Sequence, residues 1–166
     1  GAIIPKIFAM HHGIQGVQNE DVIKICDQPD SQIELLRHTP GSAFGSVRYK
    51  LKPWQEDETD YIRILEILKK YNIRYFFYNG GNDSMDTCPK IDSYLKHVGY
   101  EARVIGIPKT IDNDLPFTDH TPGYGSAAKF IANTLMEISY DNLAYPKGRV
   151  NIVEIMGRHA GWLTAS

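Results

Sequence analysis

Three carboxylates crowd the stretch GIPKTIDNDLPFTDHTPGYGS, residues 106–126: Asp112, Asp114 and Asp119, with Lys109 just before them. A connecting loop has no need of such crowding, because like charges side by side repel. Asp112 and Asp114 are two apart, so in extended backbone both side chains face the same way. One carboxylate can then act as general base while the other holds it in place or helps to bind a metal ion. Lys109 alternates with them and can neutralise an incoming phosphate, and Thr110 offers a hydroxyl. A plainer reading stays open, a solvated acidic turn capped by Asn113.

Two further polar loops carry residues of similar interest. NGGNDS, residues 79–84, holds Gly80 and Gly81, whose bare backbone lets a ligand approach closely. A helix start just after them, at Ser84, favours an anion. Asp83 in that place is either a helix cap or a gate that keeps a bulkier anion out by repulsion. MGRHAG, residues 156–161, offers Arg158 between glycines, a setting suited to bidentate phosphate recognition or to a surface ion pair. His159 has no visible partner and reads as structural, as does the histidine pair at 11–12. Arg48 and Arg149 are cations that need an anion to justify them, unless they are plain surface charge.

The elements that must position these loops follow from patterning. Residues 5–10, 73–78, 102–107 and 149–156 read as strands, rich in β-branched and aromatic residues. Tyr61, Ile64, Leu65 and Leu68 recur at i, i+3, i+4 and i+7, which predicts a helix over 58–71. Further helices are predicted over 84–97 and 127–141, while HHGIQG reads as a stop and 17–40 as mixed. Strand, polar glycine loop and helix in repetition predict an α/β fold, a parallel sheet with helices on both faces. Ligands of such sheets bind beyond the carboxyl ends of the strands. The three polar loops are expected there, side by side.

Bulk properties bound the rest. The 166 residues suffice for one domain with a real core, and 42% are hydrophobic. Eighteen basic and twenty acidic residues leave a formal charge of -2, which is no footprint for nucleic acid. No basic run suggests a membrane surface, and no apolar stretch is long enough to span one. The opening GAIIPKIFAMHHG lacks the pattern of a signal peptide. Cys26 and Cys88 have no metal-ligand spacing and read as reduced thiols of a cytoplasmic protein. No repeat or linker marks a second complete domain.

Four segments in order resemble the phosphofructokinase family: GSAFGSVRYK, NGGNDSMDT, GIPKTIDND with TPGYGSA, and VEIMGRHAGW. The stretch from RHTPGSAFGSVRYKL to YFFYNGGNDS looks most like the family's bacterial pyrophosphate-dependent branch. The resemblance implies a three-layer α/β/α fold with a mainly parallel, doubly wound sheet. It implies transfer of phosphate from pyrophosphate to the 1-hydroxyl of fructose 6-phosphate, reversibly, with Mg²⁺. Asp112 matches the family's proton acceptor, and Thr110 and Asp114 match its neighbours. Met156, Gly157 and Arg158 match the loop that binds fructose 6-phosphate. Arg149 matches an arginine that reaches the sugar phosphate of a neighbouring subunit, so a homo-oligomer, dimer or tetramer, is expected. Gly80, Gly81, Ser84 and Arg48 fall on the donor side, and Asn82 falls where most members carry a magnesium-binding Asp.

The choice of donor has a physical argument. ATP-dependent members usually carry glycine at the position of Asp83, and often at that of Lys109. A carboxylate at the first position repels the nucleotide's α-phosphate and takes its room. A lysine at the second compensates charge beside a smaller donor. ATP as donor is the alternative, and a non-catalytic regulatory homologue is another, although both PKTIDND carboxylates are present. The resemblance further implies a segment of the phosphoryl-donor-binding domain. The family's first strand, its glycine-rich diphosphate loop and its later substrate-binding half are expected outside residues 1–166, so this piece alone is expected to be inactive.

Overall fold

Short apolar runs separated by polar turns set the order of elements. In the computed structural model, which describes residues 4–166, the chain runs β1 (Phe8–Met10), α1 (Gly13–Asn19), β2 (Val22–Lys24), α2 (Asp30–Leu35) and α3 (Thr59–Lys70). It continues through β3 (Tyr75–Gly80), α4 (Asn82–His97), β4 (Arg103–Pro108), α5 (Tyr124–Leu143) and α6 (Trp162–Ala165). Its contacts divide it into two compact units. One holds residues up to Tyr78 together with Asp86–Ile105, the other Asn79–Met85 and Gly106–Ser166.

The first unit owns the main core. Of the stripe read in the sequence, Tyr61, Ile64 and Leu68 of α3 are buried and Leu65 is half-buried, while Ile67, outside that reading, joins the buried face. Asp60 in the first turn and Lys69 and Lys70 in the last suit the helix dipole. That face packs with Ile14 and Val17 of α1, Leu51, Phe76 of β3, and Ile91, Tyr94 and Leu95 of α4. Tyr61 keeps its hydroxyl satisfied by donating to Lys52 O. Burial pushes its phenol up to about 12, so it remains a donor across the physiological range. Burial also pushes the Cys88 thiol up, whereas Cys26 is exposed.

Two short ladders hold the strands. β1 and β2 pair antiparallel, with Phe8 opposite Lys24 and Met10 opposite Val22. β3 pairs with β4. Arg103 N donates to Arg74 O at 2.8 Å and Lys109 N to Gly80 O at 2.9 Å. Both partners advance together along the chain, which is the parallel sense. Inside α4, Pro89 has no N–H to give the carbonyl of Met85, one turn back.

Several expectations need correction. The strand expected over 149–156 does not form: those residues join no ladder, and Val150 and Ile152 stand 90% and 93% exposed. A strand needs a neighbouring backbone, and here the first residue bonds a side chain instead. Asn142 Nδ2 donates to Arg149 O, and Arg149 N donates to Asn142 Oδ1. The strand does stop before HHGIQG, at Met10, but the sequence reading placed no helix there, and His12 turns through a left-handed φ of 54° directly into α1. The mixed stretch 17–40 contains β2, whose pairing adds an antiparallel ladder to the parallel one expected. The first strand keeps only Phe8–Met10 of the 5–10 expected.

Ile64→Ala is expected to cost about 2–5 kcal/mol by urea unfolding of the full-length protein, because Ile64 is 1% exposed within the core. A thiol-specific alkylating reagent at neutral pH is expected to label Cys26 before Cys88; equal rates would contradict the burial described for Cys88.

Candidate active site

The second unit gathers the polar loops. Gly80 ends β3 and α4 begins at Asn82, so Gly81 alone joins strand to helix. A Cβ on Gly80 would come within 2.1 Å of Ser84 Oγ, so the hydroxyl occupies the room that a side chain would take. Asp83 is exposed in the first turn of α4, where the helix dipole favours an acid. The PKTIDND loop and the residue before it, Ile107, are tied to residues 79–82 by three hydrogen bonds. Lys109 N donates to Gly80 O at 2.9 Å, and Asn79 Nδ2 to Ile107 O at 3.0 Å. Asn82 Nδ2 donates to Asp114 Oδ2 at 3.2 Å. A neutral amide at position 82 can make that last bond, whereas a second carboxylate there would face Asp114 with like charge.

Asp112 is the unusual group. It is 9% exposed, and its Oδ1 is buried with no hydrogen-bond partner. A buried carboxylate oxygen left unsatisfied is costly, and such exceptions need a reason. Asp112 N donates to Thr110 Oγ1 at 3.0 Å. Thr110 N in turn donates to Pro122 O at 2.9 Å. The rule that residues two apart share a face does not carry through here. Asn113 takes a left-handed φ of 54°, leaving Asp112 buried and Asp114 exposed. The returning strand of the loop is pinned by Thr121, whose hydroxyl donates to Thr110 O at 2.8 Å. Gly123, at φ 109°, pairs with Thr110 in a parallel bridge, and a Cβ there would press on Thr110 O at 3.3 Å.

The third loop also belongs to this unit. Met156, Gly157, Arg158 and His159 line an open hollow of about 780 Å³, together with Glu154 and Thr164. Ala160 N donates to Gly157 O at 2.8 Å and closes the turn, while Arg158 sits at a left-handed φ of 51°. An apolar hollow of about 310 Å³ has both Ile111 and Met156 in its wall, so the PKTIDND loop and the third loop border one space.

Arg48 is exposed in the first unit. Arg149 lays its guanidinium over the Tyr145 ring, 3.8 Å from the centroid. Among the described residues, no three acidic, histidine or cysteine side chains are grouped to hold a metal ion. Sequence reasoning weighed Asn113 only as a turn cap, gave Thr121 no role, and took the Pro-Gly pair at 122–123 as the start of a helix, which α5 is. The Pro-Gly pair at 122–123 was the available signal, since Gly123 marks where the backbone must turn and pass close.

A glycine turn after β3 and a buried carboxylate in the loop after β4 lie together in an α/β chain, the arrangement in which such sheets bind ligands. Residues 4–166 match the family described as Phosphofructokinase, and the chain belongs to it. It is 48% identical over 165 residues to a pyrophosphate–fructose 6-phosphate 1-phosphotransferase of Halomonas elongata, covering 98% of this chain and 39% of that protein. It is 46% identical to a protein of the same name from Methylococcus capsulatus, at the same coverage. The crystal structure of a pyrophosphate-dependent phosphofructokinase from Nitrosospira multiformis superposes with TM-score 0.88 at 45% identity, covering 98% of this chain and 40% of its own. The fold is thus that of phosphofructokinase structures. The chain spans about two fifths of the length of these relatives.

Gly157→Ala is expected to break the turn at 157–160. The added Cβ would lie 2.1 Å from Ala160 O, a backbone atom that no rotamer change can move aside. The check is hydrogen exchange at the Ala160 amide, whose protection should fall while that of α3 is unchanged.

Proposed function

We propose that the full-length protein carrying this chain transfers a phosphoryl group from pyrophosphate to fructose 6-phosphate. The sugar 1-hydroxyl attacks the donor phosphorus, the bridging P–O bond breaks, and fructose 1,6-bisphosphate and phosphate leave. The bonds broken and made are alike in energy, so the reaction runs in both directions. One observation carries this reading: the buried, unpartnered Oδ1 of Asp112 in a loop hydrogen-bonded to the glycine turn after β3. An atom without a partner is free to take one, and a hydroxyl proton is the partner a base needs. The names of the relatives at 48% and 46% identity support the same donor and acceptor.

The remaining roles follow the charges. Asp112 removes the proton of the 1-hydroxyl, with Thr110 and Asp114 binding beside it. Lys109 and Arg48 stabilise the negative charge of the transferring group, since such transfer depends chiefly on positioning and electrostatics. Gly80, Gly81 and Ser84 border the donor, and Asp83 keeps a nucleotide's extra phosphate out. Met156, Gly157 and Arg158 take the sugar phosphate, and the hollow they line supports that role. Arg149 reaches the sugar phosphate of a neighbouring subunit in a dimer or tetramer, for which its guanidinium must leave the Tyr145 ring.

Mg²⁺ fits the donors present. Asp112 offers an unpartnered oxygen, and Asn82, whose nitrogen is engaged by Asp114, still has its amide oxygen. So few protein donors suit a hard cation that keeps waters and binds largely through substrate phosphates. The metal supplies charge neutralisation on the diphosphate. The chain is a segment of the phosphoryl-donor-binding domain of a cytoplasmic enzyme with no nucleic-acid or membrane partner. Among the described residues, no helix is long and apolar enough to cross a membrane.

A coupled assay of the full-length protein with each donor tests this reading. Pyrophosphate should support turnover and ATP should not; preference for ATP would sink the donor assignment. Asp83→Gly should raise the ATP-to-pyrophosphate ratio of kcat/KM, and Asp112→Asn should lower kcat by about 10²–10⁴-fold.

A further inference from the structure

Among the described residues no hydrogen bond holds Asp112 Oδ1, so its position depends on the backbone that carries it. That backbone is held by Thr110 and by two side chains to which no role has been given, Asn113 and Thr121. On its N-terminal side, Asp112 N is held by the Thr110 hydroxyl. On its C-terminal side stands Asn113, whose φ of 54° is one that asparagine tolerates better than most residues. Its side chain then spans the loop. Asn113 Oδ1 accepts from Thr121 N at 2.9 Å, and Nδ2 donates to Asp119 O at 3.2 Å. Thr121 is 3% exposed and passes the restraint back to the start of the loop, its hydroxyl donating to Thr110 O. The circuit closes through Thr110 N to Pro122 O.

We propose that Asn113 and Thr121 form a clamp that positions Asp112 for proton removal, acting through the backbone and touching neither substrate. The proposal rests on Asp112 being the base. Both are therefore positioning residues, and a well-packed loop alone would not require them to act on kcat. A carboxylate displaced by about 1 Å loses on the order of a hundredfold in rate, because the reacting atoms no longer meet in line. Substrate binding depends less on that displacement, so KM should move little.

The experiment is steady-state kinetics on the full-length protein with fructose 6-phosphate and pyrophosphate, per mole of folded protein measured by circular dichroism and size exclusion. Thr121→Val removes the hydroxyl and keeps the volume, Thr121→Ser restores the hydroxyl, and Asn113→Asp keeps the acceptor for Thr121 N while losing the donor to Asp119 O. Thr121→Val is expected to lower kcat about ten- to a hundredfold, with KM for fructose 6-phosphate within about threefold. Thr121→Ser should recover most of that kcat. Asn113→Asp should fall between them and serves as the second variant if Thr121→Val does not fold. Because the clamp acts only through Asp112, Thr121→Val added to Asp112→Asn should cost almost nothing more. A kcat unchanged in Thr121→Val and Asn113→Asp, beside a low kcat in Asp112→Asn, overturns the clamp alone. Additive losses in the double variant overturn it too. An undiminished kcat in Asp112→Asn overturns the reading of Asp112 as base, and the clamp with it.

Discussion

Two loops far apart in sequence become one site through the parallel register of β3 and β4. Lys109 N reaches Gly80 O at the end of that ladder, at 2.9 Å. If the register slipped by one residue, every side chain beyond it would change face. Asn82 would lose Asp114, and Lys109 would no longer leave the strand beside the glycine turn. The bond forms where Gly80 is buried and Ser84 fills the space above it, so the turn cannot relax toward another geometry without a steric clash. Placement of the acidic loop is therefore a property of strand pairing, and the loop's own residues only refine it.

Refinement is where the energetics concentrate. Burying a carboxylate costs free energy unless partners make it good. Here Asp112 N has a partner while one of its carboxylate oxygens does not. Left-handed φ values at Asn113, Phe117 and Arg158 add conformational cost within the same unit. The stability that tolerates these costs has another source. It is the burial of the aliphatic and aromatic core of the first unit, from Ile14 to Leu95, although that unit carries left-handed φ values of its own at His12, Glu20 and Asn72. One part of the chain is built for packing, and the other holds groups away from their lowest free energy.

Much of this was legible in the letters. IRYFFY and ARVIGI announced β3 and β4 within two residues, because β-branched and aromatic runs bounded by polar turns suit few other structures. The stripe on α3 was read directly from its spacing, and PKTIDND and NGGNDS stood out as polar where a sheet ends. What stayed hidden depends on neighbours that sequence does not display. RVNIVEIM has the composition of a strand, yet composition does not supply a partner backbone, and Asn142 engages its first residue, Arg149, instead. The alternation rule put Asp112 and Asp114 on one face, but a single left-handed residue between them separated their environments. The clamp was invisible because a threonine and an asparagine at 121 and 113 carry no periodicity. Their pairing exists only once the loop has folded back on itself.

Helix α5 carries one more consequence. None of its side chains is fully buried, and Phe130, Met136, Tyr140 and Leu143 stand 53–75% exposed, with Val150 and Ile152 bare beyond them. So much greasy surface on one helix and the segment after it resembles a core cut open. In dilute buffer, 166 residues handled by themselves would adhere to one another and to vessel walls, and their behaviour would vary with concentration. Yield and dispersity, before any chemistry, would report whether that face had found its cover.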